Sequence, residues 1–141
     1  MFFHIFVSLI LIHMVQQVTE GVNIKVETSY QPAQSNPLNS EYLFAYRITI
    51  ENLTPHPVKL HSRHWHIIDS NGTHREVEGD GVVGQQPVIS PGNSYQYTSA
   101  ANRHSDIGKM YGTYLVENLF NKRKLIVTIP EFQLIAPAKL N

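Results

Sequence analysis

Between Tyr42 and Glu51 apolar and polar side chains alternate: Tyr42, Phe44, Tyr46, Ile48 and Ile50 fall on one side, Arg47, Thr49 and Glu51 on the other. Successive side chains point to opposite faces only in an extended strand, so a two-residue period specifies a strand with one buried and one wet face. Val22, Ile24 and Val26 repeat the pattern nearer the N-terminus. Val58 to Asp69 reads as a third strand whose phase changes near Arg63–His64, where Val58 and Leu60 give way to Trp65 and Ile67 on the opposite parity. One inserted residue turns every later side chain over, so a bulge is expected there.

Turn chemistry divides the rest. Gln31 to Ser40, with Pro32 and Pro37, reads as a loop, and Asn52 to Pro57 as a turn. Asn71-Gly72 predicts a two-residue hairpin with both residues at positive φ, and Thr73 to Glu78 returns from it. Gly79 to Pro91 reads as a long loop, closed by a type II turn at Pro91-Gly92. Tyr95 to Ser99, Met110 to Glu117 and Lys124 to Pro130 are further strands, and Phe132 and Leu134 continue a terminal one. No long stretch carries a helical period. About seven or eight short strands at regular spacing predict an all-β sandwich or barrel.

A chain of 141 residues suits one domain with one core. Its formal charge of +0 offers no basic face for a phosphate backbone, so no nucleic-acid partner is expected. The lack of cysteine removes disulfides, thiolate metal sites and a thiol nucleophile, and fits a cytoplasmic location. The apolar run Phe2 to Ile12 would span roughly 17 Å as a helix, short of the ~30 Å hydrocarbon core, so no membrane partner is expected. Residues 1–13 read as an over-long start preceding a true start at Met14, as a signal-like or anchoring extension, or as an ordered extension packed on the domain. The domain is expected over 14–141.

Five motifs stand in order along the chain. They are Arg63-His64-Trp65-His66-Ile67-Ile68-Asp69, Gly79-Asp80-Gly81-Val82-Val83-Gly84-Gln85-Gln86-Pro87, and Ser90-Pro91-Gly92 with Tyr95-Gln96-Tyr97-Thr98-Ser99. Gly108-Lys109-Met110-Tyr111-Gly112-Thr113-Tyr114 and Ile129-Pro130-Glu131-Phe132-Gln133-Leu134 follow. Together they closely resemble the ApaG signature, over about Val22 to Ala136. One departure lies at Asn118 to Lys122, where the family commonly has a glycine and this chain has Leu119-Phe120-Asn121. The resemblance implies an immunoglobulin/fibronectin type III-like antiparallel β-sandwich that serves as an interaction module, with a family-level link to cobalt and magnesium resistance and no catalytic residues to carry over.

Read as chemistry, Gly79-x-Gly81-x-x-Gly84 has the spacing of a dinucleotide fingerprint, but Gln85-Gln86-Pro87 cannot begin the helix whose N–H groups would hold a pyrophosphate. A shaped glycine loop, an anion-binding nest and a partner-binding loop with Val82 and Val83 as exposed apolar anchors are the alternatives. His64 and His66 share a strand face and are weak candidate metal ligands, with Asp69 or His74 as further donors; otherwise they belong to an exposed polar face. Trp65 is expected in the core. Arg63 is expected to pair with Glu76 or Glu78 across the hairpin, or to hook an anion. No Gly-x-Ser-x-Gly elbow or placeable acid–base pair supports an enzyme.

The expected function is non-catalytic binding of a protein partner through Gly79, Asp80, Gly81, Val82, Val83, Gly84 and Gln86 with Arg63 and His64. No cofactor is expected. A homodimer through a sheet edge is a further expectation, and binding of a divalent cation or a phosphate compound is the alternative function.

Overall fold

The computed structural model describes residues 13–137. Nine strands follow in chain order: β1 (His13–Thr19), β2 (Val22–Tyr30), β3 (Tyr42–Asn52), β4 (Val58–Asp69), β5 (His74–Asp80), β6 (Val88–Ile89), β7 (Ser94–Arg103), β8 (Ile107–Asn118) and β9 (Lys124–Ile135). One sheet has the order β1-β2-β3-β7; the other has β5-β4-β8-β9, with β6 also paired to β4. Every strand pairing is antiparallel, and the two sheets form the expected sandwich. Among the described residues no helix is long and apolar enough to cross a membrane.

The alternating faces become the core. Val22, Ile24 and Val26 meet Phe44, Tyr46, Ile48 and Ile50 in one layer, facing Trp65, Met110, Tyr114, Val127 and Phe132 in the other. Trp65 is buried as expected, edge-on to Tyr46 and Phe132 with ring centroids 5.7 and 5.8 Å away. Buried Asn52 has its polar atoms bonded: its amide donates to the carbonyls of His56 and Ile89, and its oxygen accepts from the Thr54 N–H and hydroxyl. A buried polar side chain saturated in this way fixes the β3–β4 turn against β6.

Several details differ from expectation. The segment at His13–Thr19 is a strand, although Gln16 and Gln17 hide its alternation; as an edge strand it buries little. His13, the last residue of the proposed extension 1–13, pairs with Thr28 in β1; residues 1–12 lie outside the described residues. The expected bulge falls at His61, where the β4–β8 register shifts between Leu60 and Ser62. A second shift, between Met110 and Gly112, accommodates Pro130 inside the continuous strand β9. Pro130 lies in the edge strand of its sheet and at this irregularity, both places where a residue without an N–H is tolerated. The Pro91-Gly92 turn is type II, with Gly92 at φ +78 and the Asn93 N–H on the Ser90 carbonyl. Where a glycine was missing at Asn118 to Lys122, Lys122 itself takes φ +63 and the Asn118 side chain accepts the Phe120 N–H.

The Asn71-Gly72 hairpin is built differently from the predicted turn. Gly72 is at φ +87 and Asn71 is not at positive φ. The Gly72 N–H donates to the Asp69 carbonyl and the Asp69 N–H to the Thr73 carbonyl, a type I turn followed by a left-handed glycine. This loop sets Ile68 opposite His74, His66 opposite Glu76 and His64 opposite Glu78.

Candidate functional site: a histidine–carboxylate cluster and a braced hairpin tip

The bulge at His61 decides which side chains share a surface. Beyond it Trp65, Ile67 and Asp69 turn inward and His64 and His66 turn out. The β4–β5 register then stands Glu76 beside His66, and the β4–β8 register stands Tyr111 on its other side.

The result is one contiguous cluster on the outer face. His64 Nε2 lies 2.8 Å from a Glu76 carboxylate oxygen, and His64 Nδ1 lies 3.2 Å from Glu78. His66 Nδ1 lies 3.7 Å from the same Glu76 oxygen and 3.1 Å from His74 Nε2. The His66 ring stacks on Tyr111 at 4.8 Å and 9° between planes, and on His64 at 4.7 Å. The hydrogen bond from His64 is the main reason the Glu76 carboxyl titrates below its ordinary value; desolvation opposes the shift, and the charges of His66, His64 and His74 add to it. A second pair stands nearby, with His61 Nε2 2.7 Å from Glu117.

Of the further donors expected for His64 and His66, His74 joins the cluster and Asp69 does not. Asp69 faces inward, where its carboxylate lies 3.5 Å from the buried Arg103 guanidinium. Glu76 is the donor that sequence missed. A two-residue turn at Asn71-Gly72 would have set His66 opposite Val77, leaving Glu76 on the other face.

Arg63 also departs from expectation. Glu76 and Glu78 pair with His64 instead, and the Arg63 guanidinium donates to the carbonyls of Asp80 and Gly81, each at 2.9 Å. It lies over Gly79, where a Cβ would come within 2.9 Å of Nη1. The end of β5 therefore leans on Arg63.

The glycine segment is a second small hairpin. Val82 and Gln85 exchange N–H···O bonds of 2.7 and 2.9 Å, while the Gly81 N–H donates to the His61 carbonyl at 2.8 Å. Val83 and Gly84, at φ +47 and +75, form a two-residue turn of the primed kind. Gly81 is required: it sits at φ +63, and a Cβ there would meet the Gln85 carbonyl oxygen at 2.2 Å. The N–H groups of Gly81, Val82 and Gln85 are spent on the protein's own carbonyls. Val82, expected as an exposed anchor, is fully buried in the core, while Val83 is 64% exposed. Gln86 is a strut, its amide donating to the His61 carbonyl at 2.9 Å. Beside this tip lies an outer-face depression of ≈ 480 Å³ lined by His64, Glu78, Gly79, Asp80, Leu115 and Ile126.

Known proteins share this fold and sequence. Residues 32–118 match the family model described as ApaG domain. Protein ApaG of Shewanella frigidimarina is 45% identical over 121 residues, covering 86% of this chain and 95% of the relative. Protein ApaG of Escherichia coli O1:K1 / APEC is 44% identical over 121 residues, covering 85% of this chain and 95% of its own. A crystal structure of the Bordetella pertussis protein assigned as ApaA superposes with a TM-score of 0.80 at 41% identity, covering 82% of this chain and 94% of that one.

Proposed function

This chain belongs to the ApaG domain family, and from that premise we propose that it is a non-catalytic binding module that docks another protein through the Val82–Gln85 tip. One observation carries the reading: Val83, a β-branched residue, stands exposed at φ +47. That conformation costs roughly 1–2 kcal/mol and persists only where the surroundings over-determine it. Here they do. Val82 is anchored in the core, Gly81 and Gln86 are bonded to the His61 carbonyl, and Arg63 holds the carbonyls of Asp80 and Gly81. A tip braced in this way loses little conformational entropy on docking. Next to it, Leu115 and the exposed Ile126 give the depression an apolar floor. Strained, rigidly supported loop residues beside a concavity are a common form of recognition surface.

In this reading the protein works in the cytoplasm, and the link to cobalt and magnesium resistance arises through binding. The test is a pull-down with the full chain and its Val83→Asp variant, with circular dichroism confirming that both are folded. A partner retained by the parent and lost by the variant supports the tip. A partner held equally by both rejects it. Size-exclusion chromatography with light scattering identifies the case in which the partner is a second copy joined through a sheet edge.

A further inference from the structure

We infer that His64, His66 and Glu76 form a three-ligand site, with His74 beside it, for a borderline divalent metal ion, zinc foremost, on the outer face of the β4–β5 hairpin. It shares His64 and Glu78 with the lining of the depression beside the Val83 tip, but metal binding there does not depend on the docking proposal.

The donor geometry is the first argument. His64, His66 and Glu76 each offer one ligand atom, all within 4.8 Å of one another. His74 Nε2 lies 3.1 Å from His66 Nδ1, at the edge of this group. Four ligands at ~2.0–2.1 Å from a tetrahedral zinc ion stand about 3.3 Å apart. The separations here, 2.8 Å for His64–Glu76, 3.7 Å for His66–Glu76 and 3.1 Å for His66–His74, bracket that value. Ligation draws His64, His66 and Glu76, whose donor atoms lie within 4.8 Å of one another, toward a common centre.

The surroundings of the donors are the second argument. A metal-bound imidazole is oriented when its other nitrogen is held by a carboxylate. His64 has that arrangement, with Nε2 toward Glu76 and Nδ1 3.2 Å from Glu78. The His66 ring is fixed by stacking on Tyr111, with 9° between planes. His64, His66, Glu76 and His74 all stand on two paired strands, which hold a site more firmly than loops do. An exposed polar strand face needs no such convergence, because isolated surface ion pairs contribute little.

The chemistry of the set selects the metal. Two imidazoles and one carboxylate, with water or His74 to complete the shell, suit zinc, and in the same series cobalt, nickel and copper. Magnesium demands an octahedral shell of oxygens, which this cluster does not offer.

The test is isothermal titration of untagged full-length chain with zinc alone, repeated with magnesium and with the variants His66→Ala, His74→Ala, Glu76→Gln and Glu78→Gln. One zinc per chain is expected, with no uptake of magnesium. His66→Ala should weaken zinc binding by more than about 100-fold, and Glu78→Gln by about 10–100-fold through the loss of orientation. Substituting cobalt should give the intense visible absorption of a four-coordinate ion, absent in His66→Ala. Lack of stoichiometric zinc binding by the folded chain overturns the site. So does zinc binding left unchanged in both His66→Ala and His74→Ala, since the ion would then sit elsewhere. Each variant lies at an exposed or half-exposed position, and circular dichroism separates loss of the site from loss of the fold.

Discussion

His66 Nδ1 lies 3.1 Å from His74 Nε2 across the β4–β5 hairpin. Two imidazole nitrogens at that distance share one hydrogen, so one ring donates and the other accepts. His74 is exposed, so His74→Ala is expected to change stability by less than about 0.5 kcal/mol. Trp65→Ala, by contrast, empties a core position and should cost about 3–5 kcal/mol. Urea denaturation of both variants checks the contrast. Comparable losses would mean that the cluster holds the fold together.

Gly81 lies at φ +63, and the Gln85 carbonyl oxygen occupies the place of its missing Cβ, 2.2 Å away. Gly81→Val therefore combines left-handed strain with a backbone clash, and a loss of at least about 2 kcal/mol is expected. The midpoint of urea unfolding reads it. An unchanged midpoint would show that the loop can move out of the way.

At Val83 the same physics runs in the opposite direction. Glycine releases the left-handed strain, worth roughly 1–2 kcal/mol, and adds unfolded-state entropy worth roughly 0.5–1 kcal/mol. Val83→Gly should thus stabilise the fold by up to about 1 kcal/mol, seen as a raised melting temperature. A lowered one would show that the Val83 side chain packs against the tip after all.

Glu117 gives the pH dependence. The hydrogen bond from His61 is the leading cause that holds its carboxyl below the ordinary 4.5. A folded-state value below the unfolded one adds stability above the unfolded value, and that stability is lost as pH falls through the folded value. The melting temperature should therefore decline on acidification below about 4.5, and Glu117→Gln should flatten that limb. Thermal unfolding followed through the acid range checks this; parallel curves for parent and variant would exclude Glu117 as a contributor.

Much of the fold is legible in the residue order because burial imposes a period of two. The alternations in β2 and β3 predict buried Ile24 and Ile48, and the phase change in β4 predicts a bulge and a buried Trp65. The edge strand β1 is less legible, since a strand with little burial needs little alternation. Val82 was misplaced for a related reason: its side chain enters the core from a glycine-rich segment with no period to reveal it.

By itself the sequence determined most of the strands, though not β1 or the short β6 inside Gly79 to Pro91, together with the apolar faces of the periodic ones and most of the turns, because these depend on local periodicity and on the backbone freedom of glycine and proline. Only the tertiary structure decided which polar residues meet. Cross-strand neighbours depend on register, and a change of one residue in a turn moves every partner to the other face. At Asn71-Gly72 the loop keeps Asn71 off positive φ and carries Gly72 in the left-handed region, and that single difference places Glu76 beside His66. The histidine–carboxylate cluster follows from it.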